Sequence, residues 1–242
     1  MVSIIGPNGS GKTTMIDAIS GFVPASGTVS LNGTNLTSQP PFARNREGIS
    51  RSFQSLELFE ELSVGDNLLV AAGRVTWLSW LRCVIWPGRA KASDAVREGV
   101  TEFGLTDCLD ARPSELPYGK RRLLAICRAL STERPPKVLL LDEPAAGLGD
   151  IDRAELRRLI RDAADKRGMA VLLVEHDVEL VMDISDRVIV LEFGKKIAEG
   201  LPSDVRRDPE VVRSYLGSFE ESDPAGDKPM EDEDPRLVVE AQ

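Results

Sequence analysis

The apolar positions of this chain come in short runs whose spacing changes along its length. Val2–Ile5 is a brief apolar-rich run that opens directly into a glycine-rich stretch, which predicts a buried strand, a loop and then a helix over about 11–20. Residues 28–36, TVSLNGTNL, read as a strand and turn, and 49–53 as another strand. Ser63 begins SVGD ahead of an apolar stretch, a capping signature that starts a helix over 63–73. Residues 91–103 predict a helix that stops near Gly104. Leu123, Ile126, Cys127 and Leu130 recur at helical spacing within 120–130.

After residue 137 the rhythm is regular. Residues 138–141 form an all-apolar strand, and Leu156, Leu159, Ile160 and Ala163 line one face of a helix. A strand at 170–174, a helix at 178–184 and a strand at 187–192 follow. Strands that are apolar throughout, alternating with helices, predict an α/β fold with a parallel sheet covered on both faces. Residues 58–130 break that alternation and read as an inserted helical lobe, leaving 1–57 and 131–218 as the core. Residues 219–242 are polar, acidic and proline-containing, a composition that predicts disorder and solubilisation more readily than a regulatory tail.

Composition narrows the function classes. A chain of 242 residues with 42% hydrophobic residues can bury a substantial core. The net charge of −9 is uneven: from Glu220 onward nine acids face two bases, so the body carries only −2. No basic footprint is present, which argues against nucleic acid as a partner. No apolar run reaches the roughly 20 residues of a membrane span, since Val75–Trp86 is short and holds Arg82. The start has no secretory signal, and a cytosolic protein is expected. Cys83, Cys108 and Cys127 form no close pair and read as reduced, buried thiols.

Three strand ends carry the candidate chemistry. Gly6, Pro7, Asn8, Gly9, Ser10, Gly11, Lys12, Thr13 and Thr14 fit GxxxxGK[ST], a loop whose glycines let successive N–H groups surround phosphate oxygens at a helix N-terminus. Lys12 is placed to reach the β- and γ-phosphates and Thr13 to offer its hydroxyl to Mg²⁺. Four apolar residues, 138–141, then lead to Asp142, suited to Mg²⁺, and Glu143, suited to orient and deprotonate an attacking water. His176, the one histidine, follows the strand at 170–174, where a donor can stabilise charge developing on a transferred phosphoryl group. A pair of acids after a strand also serves as a helix cap, and a lone histidine is more often structural. Ligands in parallel sheets bind outside the carboxyl ends of strands, which favours the catalytic reading of all three.

These elements resemble the ABC ATPases. The resemblance rests on Gln54 in SFQSLELF, on LPYGKRRLLAICRAL at 116–130 and on His176, and it covers nearly all of 1–217. LFEELSVGDNLLVAA, DEPAAGLGD, VEHDVELVMDISDRVIVLEFGKKIAEG and DPEVVRSYLG are similar to the ATP-binding subunits of branched-chain amino acid importers. The resemblance implies a P-loop NTPase core of RecA type with a helical subdomain, using ATP and Mg²⁺. It implies catalytic roles for Glu143, His176 and Gln54, and Mg²⁺ contacts from Thr13, Gln54 and Asp142. Pro117, Tyr118, Gly119 and Lys120 occupy the signature position, which in the family closes on the ATP of a second nucleotide-binding subunit arranged head to tail. Implied partners are that subunit, transmembrane permease subunits on the inner face of the membrane and, indirectly, a substrate-binding protein.

The sequence departs from the family in several places. Pro117 and Lys120 stand where Ser and Gln are usual, and Gly149 where Asp or Asn is common. Family members carry a strand pair and an adenine-stacking aromatic ahead of the phosphate loop. Here the chain starts at the strand itself, so those antiparallel strands are expected to be largely missing, with a late recorded start the preferred account. Phe22 is a substitute that more readily packs behind the loop. Trp77, Trp80 and Trp86 read equally as a permease-docking surface or as packing of the lobe, and Arg121, Arg122 and Arg128 mostly as a solvated helix face. Competing readings are a binding subunit with little hydrolysis, an ATPase for export or another cargo, and a non-transport ATPase in DNA repair or translation.

Overall fold

The computed structural model describes residues 1–73, 94–132 and 134–220. The tryptophan cluster, Cys83 and the acidic stretch from 221 onward lie outside the described residues.

Six strands form one sheet in the order β4-β5-β6-β1-β7-β8, with ranges Ile49–Ser52, Val138–Asp142, Ala170–Val174, Val2–Ile5, Arg187–Glu192 and Lys195–Gly200. Every neighbouring pair is parallel except β7–β8, which is an antiparallel hairpin. A two-stranded ribbon, β2 (Ser30–Leu31) with β3 (Thr34–Asn35), stands apart as a second sheet. The expectation of a mostly parallel, doubly covered sheet therefore holds.

The apolar runs are continuous because both faces are buried. Ile5, Leu139, Leu141, Leu173 and Val188 belong to one apolar cluster, and Ile4, Leu140 and Val174 to the other. Alternate residues of a strand point to opposite faces, so neighbours such as Ile4 and Ile5 supply both. Helix α1 (Lys12–Ser20) packs Ile16 into the second cluster. Helix α6 (Asp150–Arg167) packs Leu156, Leu159 and Ile160 into the first.

Between β4 and β5 the described residues are helical: α3 (Val64–Ala72), α4 (Asp94–Glu102), two 3-10 turns at 106–108 and 113–115, and α5 (Tyr118–Leu130). Ser63 caps α3 by accepting the Asp66 N–H, as SVGD predicts. Val64, Leu68, Val96 and Phe103 from this segment sit in the same cluster as Leu139 and Leu141 of the sheet. The lobe and the core thus share continuous apolar packing.

Four elements were not legible in the apolar pattern: α2 (Pro41–Glu47), β8, α8 (Pro202–Val205) and α9 (Pro209–Glu220). β8 reads KKIAEG and is an edge strand with no fully buried side chain, so it lacks a strand's apolar signal. α9 runs to Glu220, so residues 219 and 220, expected to be disordered, are helical instead. α7 (Val178–Ile184) completes the set among the described residues, with Asp177 accepting the Leu180 N–H at its cap.

Arg122 corrects the reading of the arginine cluster. It is 1% exposed, whereas Arg121 pairs with Glu60 at 2.5 Å and Arg128 lies over the Phe59 ring. None of the three is simply solvated. Arg44 is likewise buried, donating to the carbonyls of Ala18 and Ile19 at the C-terminus of α1, where a cation complements the helix dipole.

The loop from β4 to α3 is pinned by Asn67, which is fully buried. Its Oδ1 accepts the Phe59 N–H at 2.9 Å, and its Nδ2 donates to the carbonyls of Phe59 and Ser63 at 3.0 and 2.9 Å. Asn67→Ala removes these three hydrogen bonds and leaves the Phe59 N–H without its partner, while the Phe59 and Ser63 carbonyls keep the Leu62 and Asn67 N–H groups; a group left unpaired costs about 1–3 kcal/mol. A loss of about 3 kcal/mol in urea unfolding is expected, and an unchanged midpoint contradicts it.

Candidate nucleotide site

The carboxyl ends of β4, β5, β6 and β1, adjacent in the sheet and mutually parallel, point to one edge. Gln54, Asp142 with Glu143, Glu175 with His176, and the 6–14 loop follow these strands in that order. β1 lies where the topology reverses: the chain leaves it for β4 on one side and returns to β7 on the other. Such a switch point opens a crevice at the strand ends.

The loop after β1 wraps tightly. Gly9 and Gly11 have φ of +79° and +96°, the left-handed region, and Ser10 N–H donates to the Pro7 carbonyl at 3.2 Å. The turn between β7 and β8 braces it through Gly194 N–H to the Ser10 carbonyl. Gly11 is the N-cap of α1 and supplies no side-chain cap, and the first turn holds no acid. Its first N–H groups are therefore left for an anion. Lys12 folds over the loop, donating to the carbonyls of Gly6 and Pro7 at 2.8 and 2.9 Å. Burial holds its pKa below that of a free lysine, partly offset by Glu143 and Asp142.

A cleft of about 200 Å³ is lined by Asn8, Gly9, Gly11, Lys12, Thr13, Thr14, Glu143 and His176. A larger groove of about 650 Å³ lies along residues 15–44 and holds none of these polar groups. The small cleft is the better candidate, because it is where the charged groups converge. Phe22 lines the groove and not the cleft, and its ring meets Phe53 edge-on at 5.6 Å between centroids.

Asp142 ends β5 and is 2% exposed. Burial pushes its pKa up, with Arg51 the largest opposing influence. Among the described residues its oxygens have only long contacts, Thr13 Oγ1 and Arg51 at 3.4 Å each. Lone pairs on a hard carboxylate therefore remain available beside a hydroxyl. Among the described residues there is no cluster of three metal-ligating side chains. This set fits Mg²⁺, which takes one or two protein oxygens and completes its shell with water and phosphate.

Glu143 N–H extends the ladder to the Val174 carbonyl at 2.9 Å, so the residues just past β5 and β6 stay side by side. Its carboxylate accepts from Gln54 Nε2 at 2.9 Å and hydrogen-bonds His176 Nε2. Glu143 has φ +48°, an uncommon backbone for a residue with a side chain.

Pro117, Tyr118, Gly119 and Lys120 do not line this cleft. Pro117 is the N-cap of α5 and gives no side-chain cap; Tyr118 Oη donates to the Ala146 carbonyl at 3.2 Å; Asp152 lies against Gly119; Lys120 is exposed. Sequence reasoning missed Arg51, which joins Asp17 and Asp142, and Glu175, buried beside His176. A charge at or next to the last residue of a strand is the signal by which both could have been found.

The ABC transporter family model matches residues 1–146, and that of the branched-chain amino acid ATP-binding cassette transporter matches 195–221. LivG of Salmonella typhimurium, a high-affinity branched-chain amino acid transport ATP-binding protein, is 38% identical over 228 residues, covering 90% of this chain and 87% of its own. BraF of Pseudomonas aeruginosa, described in the same terms, is 36% identical over 223 residues with the same coverage. A crystal structure of the ADP conformation of an ATP-binding cassette of an ABC transporter matches at TM-score 0.76 and 30% identity, covering 90% of this chain and 87% of that one. The chain belongs to the ABC transporter family, among its ATP-binding cassettes.

Proposed function

We propose that this chain hydrolyses ATP to power import of branched-chain or related amino acids through membrane permease subunits. One observation carries the enzymatic half: Gln54, Asp142, Glu143, His176 and the 6–14 loop meet at the ends of four adjacent parallel strands. The similarity to LivG and BraF, and the match at 195–221, support the cargo.

The backbone N–H groups of the loop and Lys12 hold the phosphates. Thr13, Asp142 and Gln54 are the residues that would hold Mg²⁺, which would neutralise phosphate charge there. Glu143 accepts the proton of a water that attacks the γ-phosphorus, the bond to the ADP oxygen breaks, and phosphate leaves. His176 donates to the oxygens on which charge grows. Glu143 exchanges its contacts with Gln54 and His176 for that water when nucleotide enters. The 117–120 segment serves a second copy or a homologous cassette, since it lies outside this chain's own cleft. Residues 58–130 form the lobe that carries this segment and faces the permease from the inner side of the membrane.

A second reading, a cassette that binds nucleotide with little turnover, draws on Pro117, which has no hydroxyl to offer phosphate. The full chain reconstituted with its permease subunits and binding protein in liposomes separates the readings. ATP-dependent uptake of leucine, isoleucine or valine is expected. Turnover with a different cargo removes the cargo assignment, and nucleotide binding without turnover supports the second reading.

A further inference from the structure

Two buried charged side chains hold the loop after β5 from opposite sides. The Arg122 guanidinium, on α5, donates to the carbonyls of Glu143 and Pro144, the latter at 2.9 Å, and to that of Gln54 at 2.7 Å. Glu175, at the end of β6 and 3% exposed, accepts the Ala145 N–H at 2.7 Å on one oxygen and the His176 N–H at 3.1 Å on the other.

Two consecutive peptide groups, 143–144 and 144–145, are therefore gripped by a cation from one element and an anion from another. Both charges are satisfied by backbone dipoles, and no hydrogen bond joins the two side chains. Charge-assisted bonds to backbone are about twice as strong as neutral ones. Glu143 needs such support, because its left-handed backbone is unfavourable for a residue with a side chain. Arg122 sits five residues after Pro117, on the helix that the 117–120 segment begins. Tyr118 of that segment also donates to the same loop, at Ala146.

We propose that Arg122 and Glu175 act as a pair of positioning residues, a charged bracket on residues 143–145. The bracket sets Glu143 against His176 and passes displacements of α5 to Glu143 and to Gln54 of the same chain. This rests on the ATPase reading for its kinetic consequence and on geometry alone for the bracket itself.

The test uses Arg122→Lys, which keeps charge but loses the fork, and Glu175→Gln, which leaves one of two N–H donors facing an amide NH₂. In the reconstituted complex each lowers kcat by about 10- to 100-fold, the scale of a misplaced catalytic group, with KM for ATP within about threefold. The double variant falls far short of the product of the two losses, as for residues acting as a unit. Hydrogen exchange on the full chain without nucleotide reads the bracket independently of catalysis. Arg122→Lys is expected to speed exchange at 175–177 as well as at 143–146, although Arg122 bonds only to the latter loop and to the Phe53 and Gln54 carbonyls. Wild-type kcat in both variants, multiplicative losses, or faster exchange confined to the loop the altered residue touches overturns the proposal. A wild-type complex without turnover counts against the ATPase reading, while exchange still decides the bracket.

Discussion

Glu143→Gln lowers ATP turnover by about 100- to 10,000-fold while nucleotide remains bound, the range for losing a positioned general base. The substitution is nearly isosteric. The amide keeps an oxygen for the Gln54 donor and an NH₂ for His176, so the two neighbours that hold the carboxylate at the cleft retain partners. The bonds that hold the backbone are untouched: Glu143 N–H to the Val174 carbonyl, and the Glu143 carbonyl to Arg122. What disappears is the acceptor for the water proton. The measurement is steady-state ATPase of the complex alongside nucleotide affinity. ATP is retained and turnover collapses; equal turnover in the variant and the wild type removes Glu143 from its role. Weakened binding instead of weakened turnover moves it to a purely structural place.

Gly6→Ala is the substitution with the largest expected effect on the fold of the site. A Cβ at Gly6 falls 2.1 Å from the Leu191 carbonyl oxygen and 2.6 Å from Ser10 Oγ. The carbonyl belongs to β7, whose ladder with β1 runs through Ile5 and Val190, so neither backbone can step aside without breaking sheet pairing. Overpacking against rigid backbone costs about 3 kcal/mol, and relief by moving the loop opens the phosphate cradle. A fall of that size in unfolding free energy together with loss of ATP affinity is expected. Gly9→Ala is the informative contrast. Nothing lies within 4 Å of its Cβ, and only the left-handed φ of +79° penalises it, at about 1–2 kcal/mol. If the two variants behave alike, the clash with β7 is not what restricts Gly6.

Much of this site was written in local chemistry. The 6–14 loop needs glycines at fixed offsets, and 138–143 is an apolar strand ending in two acids, so each announces itself within ten residues. Ser63 and Asp66 are likewise a local pair. The elements that went unread lacked such signals. β8 is an edge strand whose side chains are at most half-buried, so it follows no apolar alternation. α2 has a polar sequence, PFARNRE, and its one fully buried residue is Arg44, which is held by carbonyls from other segments.

The charged residues divide the two sources of information most sharply. Composition gives Arg122 no reason to differ from Arg121 or Arg128 on a helix rich in bases. Its burial follows from lying beneath two strand-end loops whose four carbonyls together replace its water. Glu175 beside His176 reads as one more acid, yet one of its oxygens ties the end of β6 to the loop after β5 while the other accepts the His176 N–H. The sequence alone determined which strands are buried, which glycine-rich loop follows a strand and opens a helix, and which acids follow a strand, because those depend on neighbours along the chain. The tertiary structure alone decided that β4, β5, β6 and β1 lie side by side, and so that Gln54, Glu143 and His176 touch. That choice rests on pairing between residues 32 or more positions apart, which no local pattern of side chains encodes.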